Sequence, residues 1–165
     1  MFLNQLRKYQ RGEMTKLAEA LAERSAIRKR LDVLATRMEK NSKVFEDETP
    51  IEDPKRLLEE LNVLTARYSE LISMINTANS KTVASNGETL TVLLARRDSM
   101  KIKAELLNRM LRSTDKEPYF HRSKDQPKEK VTIDVPSLRK EADELSKMAR
   151  KTDALIQEAN WNTEI

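Results

Sequence analysis

The sequence predicts an all-α fold, an antiparallel bundle of four long helices with coiled-coil-like seams. Three observations carry that prediction. Apolar residues recur at alternating spacings of three and four along four separate stretches. Only two glycines and five prolines interrupt 165 residues, so the elements must be few and long. Charged residues reach 35% against 38% hydrophobic, a balance that suits helices with narrow buried seams and wide solvated faces. The length is that of one domain able to bury a core, assigned to residues 14–165. Met14 reads as a better start than Met1, which makes residues 1–13 an N-terminal extension.

The first helix is expected over 15–41, with Thr15 as N-cap and Leu17, Ala20, Leu21, Ile27, Leu31, Leu34 and Met38 on one face. The second follows Asp53 as cap and Pro54 at the first helical position. Its seam is Leu57, Leu61, Leu64, Tyr68, Leu71, Ile75 and Ala78, the heptad signature of helices packed at a shallow angle. Ser85, Asn86 and Gly87 break the chain before a third helix over 88–112. The fourth begins near Asp134 and Pro136, with Leu138, Ala142, Leu145, Ala149, Thr152, Ile156 and Ala159 at heptad spacing. Small residues in that seam permit close approach of a neighbour. Between the third and fourth helices the alternation of Val131, Ile133 and Val135 suggests a short β-ribbon.

Charge distribution bears on partners. The formal charge is +4, which invites a nucleic-acid reading. Basic residues outnumber acidic ones eight to four over 15–43 and six to two over 96–112. The ratio is three to eight over 46–70 and five to six over 136–165. Basic and acidic helices therefore alternate, and sequential antiparallel neighbours answer much of the charge internally. Aromatics make up only 4%, so stacking platforms for single strands are missing, and nucleic acid is not an expected partner.

Chemistry finds little purchase. With no cysteine and one histidine, His121, neither a thiolate site, a histidine metal pair nor a Ser-His-Asp arrangement is legible. Two isolated glycines make no phosphate-cradling loop. We expect no catalytic residue, no metal, no cofactor and no enzymatic activity. No stretch approaches the roughly 18 consecutive apolar residues of a membrane span. The opening residues lack the apolar core of a signal peptide, and a cytoplasmic protein is expected.

Three arginines stand where the pattern calls for apolar side chains. Arg24 and Arg28 fall on the stripe of the first helix and Arg97 on that of the third. A guanidinium is not buried without carboxylate or carbonyl partners. Arg28 sits at its stripe's edge and can reach water along its stem. Alternating helix directions would gather Arg24, Asn76, Asn79, Arg97, Asp98, Asn160 and Trp161 at one end of the bundle, with Asp98, Asp153 and Glu158 as counter-ions. Two roles fit such a polar cluster. It fixes register or an oligomer seam, or it binds a small anionic ligand through its arginines. Tyr68, Met74, Met110 and Met148 are the seam residues expected to offer adaptable contact surface.

Five stretches resemble the septicolysin-like proteins, small bacterial helical proteins: 17–30, 41–54, the Ile-Asn-Thr-Ala-Asn run at 75–79, 94–98, and 156–163 with its Gln-Glu-Ala-Asn-Trp-Asn-Thr. The resemblance covers nearly everything after Met14 and implies a long-helix bundle assembling as a homo-oligomer. An even-numbered assembly is expected, a hexamer among the options. The family name implies cytolysis, which makes a pore-forming or membrane-perturbing toxin the alternative to a non-enzymatic, self-associating protein. Binding of a small anion at the polar end of the bundle is the third reading.

Overall fold

The computed structural model describes residues 15–114 and 130–165. The extension at 1–13 and the loop carrying His121 lie outside the described residues. Among the described residues four α-helices follow in order: α1 Leu17–Lys40, α2 Pro54–Lys81, α3 Leu90–Thr114 and α4 Val135–Asn162. The expected all-α class holds. The chain forms two compact units, one of residues up to 83 together with 157–165, the other of residues 84–156.

In the first unit α1 and α2 pack as an antiparallel hairpin. Their direction is visible in the ion pairs. Along α1, Glu23 meets Arg67 and Arg30 meets Glu60, so partners retreat along α2 as α1 advances. The core is the expected stripe: Leu17, Ile27 and Leu34 from α1 lie with Leu57, Leu64, Leu71 and Ile75 from α2, all essentially without solvent exposure. Helix α2 starts as its sequence requires, with the Asp53 carboxylate accepting from the Lys55 amide at 2.9 Å and Pro54 filling the first position, where no amide donor is needed.

The start of α1 is shifted by one residue from expectation. Lys16 is the N-cap, and the Glu19 carboxylate accepts both its amide, at 3.1 Å, and the Thr15 hydroxyl, at 2.7 Å. Thr15 is displaced from capping because its backbone is committed elsewhere. It exchanges hydrogen bonds with Ile165, at 3.2 and 2.9 Å, around an antiparallel bridge between Lys16 and Glu164. The end of the described chain thus ties down the entry to α1.

The connection from α1 to α2 is pinned by Asn41, which is buried. Its Nδ2 donates to the Arg37 carbonyl at 2.8 Å and its Oδ1 accepts from the Glu52 amide at 2.9 Å. One side chain therefore caps the outgoing helix and holds the returning loop.

In the second unit α3 and α4 run antiparallel, as the ion pairs Lys103 to Glu141 and Lys101 to Asp153 show. Leu90, Leu93, Ala104 and Leu111 are buried on α3, and Ala142, Ala149 and Ile156 on α4. Gly87 adopts a φ of 83°, the left-handed conformation that glycine takes most readily, in a turn closed by its amide on the Ala84 carbonyl at 2.9 Å. Among the described residues the expected β-ribbon is not found. Residues 130–134 form no strand, Val131 is exposed, and Asp134 instead accepts from the Ser137 amide at 3.1 Å to open α4. An aspartate before a helical pattern has free amides to satisfy, and here it opens a helix rather than continuing an extended run.

Leu64 contributes a fully buried side chain at the centre of the first hairpin. We expect Leu64→Ala to destabilise the protein by about 2–5 kcal/mol, through lost transfer energy and the cavity left behind. Urea unfolding followed by circular dichroism checks this, and a midpoint unchanged from the parent would contradict it.

Candidate functional site

The charged groups were expected to hold the key, and the structure sorts them. Arg28 is exposed and lies 3.7 Å from Asp32 one turn on, a solvated pair as its place at the stripe's edge suggests. Arg24 is half-buried on α1. Arg97 is the buried-stripe arginine of α3. It donates through Nε to Asp98 at 2.8 Å and through Nη1 to Asp153 at 3.2 Å, while Lys101 adds a second cation on Asp153 at 2.7 Å. Burial works against the Arg97 charge, but the two carboxylates outweigh it and raise its pKa. Burial likewise works against the Asp153 charge, and Lys101 and Arg97 hold its pKa below the ordinary value.

The proposed cluster is divided between the units. Arg97, Asp98 and Asp153 are brought together in the second. Arg24, Asn76, Asn79, Glu158, Asn160 and Trp161 belong to the first. There Asn160 is buried, Asn79 is half-buried, and Asn76, Glu158 and Trp161 are exposed.

The most buried arginine is one that sequence reasoning passed over. Arg67 is 8% exposed on α2 and grips Glu23 of α1 with a two-pronged hydrogen bond, Nε to Oε1 at 2.9 Å and Nη2 to Oε2 at 3.0 Å. Its third nitrogen donates to Glu70 at 2.6 Å. The bonds to Glu23, opposed by burial and assisted by Glu70, raise its pKa. The overlooked signal is positional. Arg67 lies three residues after Leu64 and four before Leu71, on the flank of the seam that also carries Glu60 and Met74.

A second guanidinium network closes the hairpin near its connecting loop. Arg37 donates to Glu52 at 3.0 Å and to Glu60 at 2.9 Å, and Arg30 shares Glu60 at 3.0 Å. The hydrogen bond from Arg37 lowers the Glu52 pKa, and the two glutamates, Glu52 first, raise that of Arg37. Among the described residues no buried side-chain polar atom lacks a partner, and no group of histidines and carboxylates could hold a metal ion. These networks are therefore saturated, and they hold helices together.

What stands unsatisfied is apolar. Val92, Ile102, Leu106 and Met110 on α3 are 45%, 59%, 53% and 40% exposed. With Ala95 and Ser99, also exposed, they recur at helical spacing over about five turns on the side away from the buried Leu93, Ala104 and Leu111. One flank of this face carries Asp98, Glu105 and Arg109, the other Arg96 and Lys103, and each of these charges has an ion-pair partner within the chain. Of the seam residues expected to offer contact surface, Met110 and Met148 are exposed, whereas Tyr68 and Met74 are half-buried.

The Arg67 clamp should behave as a buried ion pair. We expect Arg67→Ala to cost about 3 kcal/mol, because Glu23 is left charged in a largely dry site, and the double change Arg67→Met with Glu23→Met to recover much of that loss. Denaturant melts of the three proteins decide it. A second expectation concerns acid. Glu52 and Asp153 have folded pKa values below their unfolded ones, so their stabilisation is present above the ordinary carboxylate pKa of about 4 and is lost as pH falls through the lower folded values. The melting temperature should hold from pH 7 to about 5 and then drop, and Glu52→Gln with Asp153→Asn should shallow that drop.

Comparison with known proteins adds kinship without an activity. The model of a family of unknown function matches residues 24–165. A solved structure described as a functionally unknown conserved protein from Corynebacterium diphtheriae is similar, with 35% identity and a TM-score of 0.85. The match covers 93% of this chain and 99% of that one. No curated protein matches.

Proposed function

The chain belongs to the family of unknown function DUF6847, and we propose that it acts without catalysis, as a self-associating cytoplasmic protein joined through the outer face of α3. The observation that carries this is the exposed stripe from Val92 to Met110. Apolar side chains repeated over five turns of one helix gain by leaving water together. A second copy is the occupant that fits, because it presents the same apolar stripe and flanks whose mixed charges are already paired within each chain. The same face used by both copies makes a two-fold contact, and assemblies built on it have even numbers of chains.

Light scattering coupled to gel filtration tests the proposal. A dimer or a larger even assembly is expected, and Ile102→Glu with Leu106→Glu should return it to monomer at unchanged helicity, because both side chains are exposed. A species that stays monomeric at every concentration would overturn it.

The resemblance to septicolysin-like proteins supports membrane perturbation as a second reading. No described helix is long and apolar enough to cross a membrane, so lysis would act by another route. Haemoglobin release from red cells exposed to the purified protein is the measurement. Release would support it, and no release at micromolar protein would remove it.

A further inference from the structure

Between α3 and α4 in the second unit lies an open groove of about 390 Å³. It exists because the side chains at its base are small: Ala104 of α3 and Ser146 and Ala149 of α4 leave space that longer residues would fill. Along α3 the lining runs from Lys101 to Arg112, about 16 Å at 1.5 Å per residue. This groove is separate from the apolar stripe, which occupies a different face of α3.

Four charged residues in the lining, Lys101, Glu105, Arg112 and Arg150, could set its character, and their partners settle which ones do. Lys101 is neutralised by Asp153 at 2.7 Å. Glu105 lies 3.6 Å from Arg109, which is not in the lining, so the groove's carboxylate is drawn toward a cation outside it. Arg112 and Arg150 are left. Neither has an ion-pair partner among the described residues, and both line the groove. Asn108, half-buried in the lining, adds an amide donor. The groove therefore offers two unanswered guanidiniums, an amide and a base of small side chains.

We propose that this groove binds a small molecule carrying several anionic groups, held by Arg112 and Arg150. Guanidinium forks match phosphate and carboxylate oxygens in pairs, which suits either group. A molecule with several anionic groups offers a separate group to each arginine, whereas a lone inorganic phosphate offers one.

Calorimetric titration of the intact protein with inorganic triphosphate, citrate and monophosphate tests this. Triphosphate or citrate should bind at least tenfold more tightly than monophosphate, and raising salt should weaken that binding. The tighter of the two assigns phosphate or carboxylate as the recognised group. Arg112→Ala with Arg150→Ala should weaken binding at least tenfold. Both side chains are exposed, and circular dichroism should show that the helices persist. Arg28→Ala with Lys29→Ala, on the exposed side of α1, removes the same charge elsewhere and should leave affinity within twofold. Absence of binding at millimolar probe would overturn the proposal. So would equal loss in the two double variants, which would mark nonspecific attraction to a basic protein.

Discussion

Placing the Arg67 guanidinium between α1 and α2 commits those helices to one register, because a charge removed from water must be met by carboxylates at hydrogen-bond distance. Glu23 meets it from the opposite helix and Glu70 from its own. A slip of one residue would rotate Glu23 away and strand both charges. The apolar seam alone would not impose this penalty so sharply, since leucines tolerate repacking with neighbours of similar volume. The Arg30, Arg37, Glu52 and Glu60 network repeats the constraint near the connecting loop, where Asn41 ties Glu52 to the end of α1. Together they span the hairpin from its middle to its closed end.

The same economy shapes the second unit. Its seam is lined partly by alanine, so each helix buries less apolar surface per turn than a leucine seam would. Cross-helix pairs on its flank, Lys103 with Glu141 and Arg97 and Lys101 with Asp153, accompany that lighter core. Small side chains leave the groove that holds Arg112 and Arg150. A helix that spends few of its large apolar residues inward has others left outward, which is how α3 comes to present Val92, Ile102, Leu106 and Met110 to solvent. Lean packing and exposed surface are thus two sides of one allocation.

Helix periodicity made α1 to α4 legible to within a residue or two at most ends, and Asp53, Pro54 and Asp134 announced two of the starts. Those signals are local, arising from backbone amides and side chains a few residues apart. Thr15 misled because its backbone was claimed by Ile165, distant in sequence. The ribbon misled because alternation over five residues says nothing about a partner strand. Among the arginines, the stripe identified Arg97 but not Arg67, since a seam of two columns hides a third that becomes inner only when a neighbouring helix leans on it.

The sequence by itself determined helix class, helix order, the inward columns of leucine and alanine and a composition with no cysteine and one histidine. Each follows from spacing and composition, which no folding event alters. Tertiary structure alone decided which charges are partnered and which apolar columns remain outside. Whether Arg37 faces a glutamate, or Arg150 faces none among the described residues, depends on the rotation of one helix against another, and that rotation is set by all the contacts of the pair at once.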